Sequence, residues 1–341
     1  MNRPAPITMK DIARHFGVSV ATVSRALADN PQISQRRRDA IQAYAREKNF
    51  IPNIMGEQLR LARVKTTKLL GVILPQLPHY YFSTILAGIE QTAFDRGYQV
   101  IVATSDEQYE RERKICEDFY RHKVCGVIVS QAKDTVRYDH FQRLLDMGTP
   151  LVFYDRISTG VNANRVVVDD YAGAFNAVSH LIQTGCRRIA FFGAPMKLEI
   201  SKNRYNGYKD ALLKNGIAPD DTLAVICDNR EDAEALTPQF LERPDRPDGF
   251  FAVNDDTAIG ILFATKRAGL RIPDDVSICG FTNGERAIVV EPMLTTVEQR
   301  GKKVGEEAAE IIIDKVEGHI PADKIEKRIV RTKLIIRGTS R

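Results

Sequence analysis

"MKDIARHFGVSVATVSRALADNP", residues 9–31, is the stretch whose reading decides the fold of the amino-terminal part of the chain. Thr8 stands before it as a helix cap, with Asp11 where the returning side chain of a capping box belongs, a weaker version of the usual Glu. Ile12, Ala13 and Phe16 recur at helical spacing, and Gly17 can take the positive φ on which a helix ends. Ser19 caps a second helix at once, leaving only a tight turn between the two. In that helix Thr22, Val23, Ala26 and Leu27 fall on one side, and Val20, Ala21, Ser24 and Arg25 on the other. Asp29–Pro31 stops it, and Ser34 caps a third helix, "SQRRRDAIQAYAREK", with Ile41, Tyr44 and Ala45 facing inward. Helix, glycine turn, helix and a packing helix make the helix-turn-helix plan.

The outward face of the second helix is small and uncharged apart from Arg25, whereas a solvated face would be rich in Glu and Lys. A face that enters a major groove has this character. Ala21 offers a methyl to thymine, and Arg25 can donate two bonds to guanine, worth about 1–3 kcal/mol of discrimination. Thr8, Ser19, Ser24, Ser34 and Arg37 lie where hydroxyls, a guanidinium or helix N-termini can hold phosphates. Charge agrees: residues 1–65 carry 12 Lys+Arg against 5 Asp+Glu, a net of +7, while the remainder has 37 against 39. A basic head on a mildly acidic body implies a polyanion partner for the head alone. The bland alternatives are a solubilising basic tail and an ordinary three-helix bundle.

With "FIPNIMGEQLR" (50–60) following, the head resembles that of the lac/gal repressor family of bacterial transcription regulators. The order DIA, GVS, TVSR, PN and then Leu carries the likeness. The resemblance implies a homodimer on a pseudo-palindromic double-stranded operator, with Val20 and Ala21 as the specificity pair of the recognition helix and Thr22 among the DNA-binding residues. It also implies a hinge helix over 53–61 in the minor groove, where Asn53 contacts DNA and Leu59 takes the place of the wedge that unstacks the central step. Two departures stand out. Gly56 replaces a common Ala and costs a helix about 1 kcal/mol, so the hinge is expected to fold only on DNA. Gly56→Ala should therefore tighten operator binding. The pair Val20–Ala21 resembles the small pair of the catabolite-control members, which points to a half-site with a central CG step. The expected domains are 1–52 (helix-turn-helix), 53–67 (hinge helix and linker) and 68–341 (ligand binding and dimerisation).

From Lys68 the texture changes. "LLGVILP", "YQVIVATS", "CGVIVS", "PLVFYD", "RIAFFGA", "LAVICD", "DGFFAV" and "DVSICGF" are short apolar runs with amphipathic stretches between them, such as "FSTILAGIEQTAFDRG". Alternation of this kind predicts parallel sheet covered on both faces. So many strands exceed one comfortable sheet, which predicts two α/β lobes with a ligand cleft between the carboxyl ends of their strands. Polar residues cluster there: "LPQLPHYYF" after the first run, Asp155–Arg156, Asn254–Asp255–Asp256, Thr282–Asn283, and Arg204 at the start of a predicted helix.

This body resembles the family's effector domain, of periplasmic sugar-binding fold, so the fold class is an all-α helix-turn-helix head plus a two-lobed α/β domain of two doubly wound parallel sheets. The resemblance implies an N-lobe of about 68–165 and 294–325 and a C-lobe of about 166–293 and 326–341. It places Arg204, Asp155, Asn254, Tyr81 and Phe82 on the effector. Thr282 stands where the family often has Asp. With that carboxylate missing and Arg204 kept, a sugar acid or sugar phosphate gains weight beside a plain sugar as the small-molecule effector. Local alternatives are that Tyr81 and Phe82 pack a helix start, that Asp256 caps the next helix, and that Asp155 and Arg156 pair with each other.

Five scattered Cys without a CxxC or Cys/His cluster indicate neither disulfides nor a metal site. "MNRPAPITMK" lacks a signal-peptide core, and no apolar run spans a membrane, so the expectation is cytoplasmic with no membrane partner. No leucine-rich heptads follow "LIIRGTSR", so dimer rather than tetramer is expected. No GxGxxG, GxxxxGK[ST] or His/Asp/Ser constellation is present, which argues against a cofactor and against an enzyme with a basic docking head. A further alternative keeps the DNA-binding role but makes the trigger a protein such as a phosphocarrier.

Overall fold

Thr8 begins the first ordered helix as its sequence implies. In the computed structural model, which describes residues 7–48, 50, 68–77 and 79–341, the Asp11 N–H donates to Thr8 Oγ1 at 3.3 Å and the Thr8 N–H to Asp11 Oδ2 at 3.0 Å. Both halves of a capping box are thus made, with Asp in place of Glu. Helix α1 (Met9–Phe16) ends at Gly17 with φ 61°. Ser19 accepts from the Thr22 N–H at 3.1 Å and starts α2 (Val20–Leu27). Ile12, Ala13, Val23, Ala26, Ile41 and Ala45 form the core beneath α1, α2 and α3 (Gln35–Glu47).

Three local expectations change. Val20 packs partly against this core instead of standing clear of it. It sits one helical turn before the buried Val23, so its β-branched side chain borders the apolar stripe. Tyr44 is only half-buried and stacks on His15, ring centroids 4.0 Å apart. Ser34 occupies the cap position of α3 without a side-chain cap bond. The preceding turn is held instead by Arg38, which donates to the carbonyls of Asn30 (3.1 Å) and Ile33 (3.0 Å) and pairs with Asp29 at 3.0 Å.

The chain divides into two units, 1–65 and 66–341. In the second, the chain runs β1 (Leu69–Leu74), α4 (Tyr80–Asp95), β2 (Gln99–Thr104), α5 (Tyr109–Arg121), β3 (Gly126–Val129), α6 (Asp139–Asp146), β4 (Leu151–Tyr154) and β5 (Asn164–Val168). It continues with α7 (Asp170–Gln183), β6 (Ile189–Gly193), α8 (Glu199–Lys214), β7 (Ala224–Ile226), α9 (Arg230–Leu241), β8 (Gly249–Ala252), α10 (Asp255–Arg267) and β9 (Ser277–Thr282). The last elements are α11 (Arg286–Val289), β10 (Thr295–Glu298), α12 (Gly301–Glu317), β11 (Lys327–Val330) and β12 (Lys333–Ile335).

Two six-stranded sheets result, in the orders β2-β1-β3-β4-β5-β11 and β7-β6-β8-β9-β10-β12. Every pairing is parallel except β10 with β12. The lobes therefore repeat one strand order, differing in the direction of the last strand, although no strict repeat is visible in the sequence. Central strands such as β3 and β8 are buried along their whole length, as sheets covered on both faces require.

The lobe boundaries differ from the expected 165/166, 294 and 325/326. Strand β10 belongs to the second sheet, because Thr295 and Thr296 are buried there against Ser340 and Asp255. Strand β11 pairs with β5 in the first sheet. The chain thus crosses between lobes near 169, 300 and 331. In the first lobe α4 and α12 approach closely enough that a Cβ on Gly305 would lie 2.0 Å from the Ile85 carbonyl oxygen.

Candidate functional site: an exposed recognition helix and an interlobe cleft

On the head, charge pairing separates structural cations from free ones. Arg14 pairs with Asp11, Arg38 with Asp29 and Lys48 with Glu47. Arg25 and Arg37 are exposed and have no carboxylate partner among the described residues. Ala21, Thr22 and Ser24 are half-buried on α2, while Thr8, Ser19 and Ser34 are exposed. The hydroxyls of Ser19 and Thr22 lie 2.9 Å apart, so each is already oriented by the other. Asn53 and Leu59, with the rest of the expected hinge, lie outside the described residues.

In the second unit a cavity of about 440 Å³ opens between the lobes. The carboxyl ends of β1, β4, β6, β8 and β9 point residues into it, as open α/β sheets do at their switch points. Tyr81, Phe82, Asp155, Arg204, Asn254 and Thr282 all line it. Sequence positions more than 200 apart are thus brought to the two facing walls of one cavity.

Each of these residues has a distinct state. Arg204 lies in the second turn of α8, not at its start. It is buried, bonds Asp170 through Nε (2.8 Å) and Nη2 (2.7 Å), and donates from Nη1 to the Val253 carbonyl at 2.6 Å. Its guanidinium also lies 3.8 Å from the Phe281 ring centroid. Two of the five guanidinium N–H groups remain for a ligand. Burial pushes the Asp170 carboxyl up to about 6, against the pull of Arg204. Asp155 directly follows β4, in the left-handed region at φ 54°. Burial raises its pKa too, while Arg156 and Arg204 oppose the rise. No hydrogen bond from the described residues reaches its carboxylate.

Arg156 does not pair with Asp155; it donates to both oxygens of Glu107 at 2.7 Å. Tyr81 and Phe82 serve two purposes at once, packing in the first lobe's core and lining the cleft. The Tyr81 hydroxyl is buried without a partner, and its pKa is raised by burial and the nearby Asp155. Asn254, not Asp256, caps α10: its Oδ1 accepts from the Thr257 N–H at 2.8 Å and its Nδ2 donates to the Asp228 carbonyl at 2.8 Å. Asp256 instead pairs with Arg286 at 2.8 Å. Thr282, at φ 142°, donates to Gln299 Oε1 at 3.1 Å.

The cleft also recruits residues absent from the expected set. Lys133, after β3, reaches across to Asp228, after β7, at 2.6 Å. Glu107 holds the Lys133 N–H at 2.8 Å. The signal for Lys133 and Asp228 was present, since they lie four residues past β3 and two past β7, in the loops after apolar strands. Asp170 stands likewise two residues past β5, but its role comes from facing Arg204. Among the described residues Asp314, Glu317 and His319 bring three possible ligand atoms within 4.8 Å of one another. Arg96 already pairs with both carboxylates there, at 3.2 Å and 2.5 Å. None of the described helices is long and apolar enough to cross a membrane.

Comparison with known proteins agrees with this architecture. The model of bacterial regulatory proteins of the lacI family matches residues 8–53, and that of the periplasmic binding protein-like domain matches 178–340. The HTH-type transcriptional repressor CytR of Escherichia coli (strain K12) is 31% identical over 339 residues, covering 98% of this chain and 96% of its own. The ribose operon repressor of Halalkalibacterium halodurans is 31% identical, with 98% and 97% covered. Among solved structures, a lac repressor dimer bound to operator and the anti-inducer ONPF superposes with TM-score 0.85 at 24% identity, covering 98% of this chain and 99% of that one. A complex of the transcriptional regulator CelR with cellobiose gives TM-score 0.74 at 25% identity, again covering 98% and 99%.

Proposed function

Because the chain belongs to the lacI family of bacterial regulatory proteins, we propose that it binds a pseudo-palindromic operator as a homodimer and represses transcription under the control of a small effector held between its lobes. The observation that carries this reading is the presence, on one chain, of a surface helix whose exposed Arg25 has no carboxylate partner and of a cleft lined by polar groups without partners, both among the described residues. The helix supplies base contacts through Ala21 and Arg25, and phosphate contacts through Thr8, Ser19, Ser24, Ser34 and Arg37. The expected minor-groove contacts are those of Asn53 and Leu59. Tyr81, Phe82, Asp155, Arg204, Asn254 and Thr282 receive the effector. Coupling between the two sites is reciprocal: an effector that weakens operator binding is itself bound less tightly on the operator.

The test is selection of duplexes from a random pool by the full-length protein at about 150 mM salt, since affinity for DNA depends on salt. Enrichment of a pseudo-palindrome with a central CG step supports the head, the dimer and the wedge leucine together. An asymmetric single half-site would refute the dimer. A folded protein that enriches nothing, with or without a panel of sugars, refutes the operator reading.

A further inference from the structure

The cavity can be described by what its charges have left to do. Lys133 is matched by Asp228 at 2.6 Å, and Arg156 by Glu107 at 2.7 Å. Arg286 is matched by Asp256 at 2.8 Å, and Arg230 by Glu231 at 2.7 Å. Arg204, the cation that would invite an anionic ligand, is matched from behind by the buried Asp170 at 2.7 Å. Every cation lining the cavity therefore has a carboxylate of its own. One carboxylate is left over, that of Asp155. Five cations face six carboxylates once Asp170 is included, a balance of −1.

The surplus charge sits deep. Asp155 is 5% exposed. Beside it in the lining stand two uncharged groups without partners among the described residues, the Tyr81 hydroxyl and His79 Nδ1, and burial lowers the His79 pKa, so its neutral form is favoured. A ligand hydroxyl or N–H donating to Asp155 forms a charge-assisted bond, among the stronger kinds available in a protected site. A phosphate or carboxylate placed there would meet a like charge in a poorly screened environment. On the second lobe Asn229 and Asn254 already cap α9 and α10, while α8, whose first turn lines the cavity, has no side-chain cap and carries the acidic Glu199 in that turn. The N-termini of α4 and α8 have no side-chain cap and are the features an anionic ligand would have to use.

We infer that the cleft takes an uncharged ligand rich in hydroxyl or N–H donors and discriminates against its phosphorylated or carboxylated counterparts, with Asp155 as the selecting residue. This rests on the effector reading above, and names the class of ligand within it. It also reverses the weight that Arg204 and Thr282 lend to an acid or phosphate when the sequence is read alone.

Calorimetry on the full-length chain at pH 7.5 with matched pairs tests it: ribose and ribose 5-phosphate, glucose with glucose 6-phosphate and with gluconate, and each ribonucleoside with its 5′-monophosphate. The expected result is that an uncharged member binds and its anionic partner binds at least about tenfold more weakly. Asp155→Asn should then weaken the uncharged ligand by about tenfold or more. Asn tolerates the left-handed backbone of this position, so the variant should fold, and an unchanged thermal midpoint checks that it does. An anionic member that binds more tightly than its uncharged parent overturns the inference, as does an Asp155→Asn variant with unaltered affinity. Absence of binding by every compound overturns instead the effector reading beneath it.

Discussion

Two arginines show how the same side chain acquires opposite meanings. Arg25 is exposed and has no carboxylate partner among the described residues, so its removal should touch DNA and little else. Arg25→Ala is expected to weaken binding to the selected operator by about 1–3 kcal/mol and relax preference at one base pair. Loss of thermal stability in place of lost specificity would show that Arg25 is structural. Arg204 is committed to Asp170, Val253 and Phe281 before any ligand arrives. Arg204→Ala should abolish the effector response in an operator-release assay. It should also cost roughly 3–5 kcal/mol of stability, because it strands a buried carboxylate. Adding Asp170→Leu to Arg204→Met should recover most of that stability without recovering the response, and recovery of both would remove Arg204 from the effector site. The sequence marked Arg204 as notable, but its neutralisation by a residue 34 positions away could not be read there.

Among elements, those governed by neighbours in the chain were the most legible. The capping box at Thr8 and Asp11, the Gly17 turn and the Ser19 cap follow from local hydrogen bonds and backbone preference, and all are formed. Thr8→Ala should cost the head about 1 kcal/mol, read as a lower melting midpoint of its own transition. The eight apolar runs of the body became strands for the same kind of reason. Strands β5, β10, β11 and β12 escaped notice, since polar residues such as Thr295, Thr296, Lys327 and Lys333 interrupt them and only their neighbours make them strands. The meeting of α4 and α12 is also a matter of partners. Gly305→Ala would force a methyl against the Ile85 carbonyl and should destabilise the ligand-binding unit by about 1–3 kcal/mol in chemical denaturation.

For the whole molecule, buried carboxylates make stability depend on pH in the direction opposite to the usual surface acid. Asp255 is fully enclosed, and burial raises its pKa from 3.8 to about 6, against the bonds from Thr296 and Gly284. It holds its proton more tightly when folded, so its contribution to stability falls as pH rises from about 4 through about 6. Asp255→Asn removes this dependence. Relative to the parent, the variant should gain about 1 kcal/mol between pH 5 and pH 7.5 in urea unfolding, whatever constant offset the lost hydrogen bonds impose. A difference that does not vary with pH would show that Asp255 titrates normally.

The sequence by itself determined the helix-turn-helix head, the alternating α/β body and the polar clusters at its strand ends, because caps, turns and apolar periodicity act over a few residues; the family resemblance then singled out the residues expected at the cleft. Where the chain crosses between lobes, and which cations keep a free charge, only the tertiary structure decided. Burial and ion pairing depend on residues far apart in the chain, and Asp170 behind Arg204 or Asp228 opposite Lys133 become partners only when the sheets have formed.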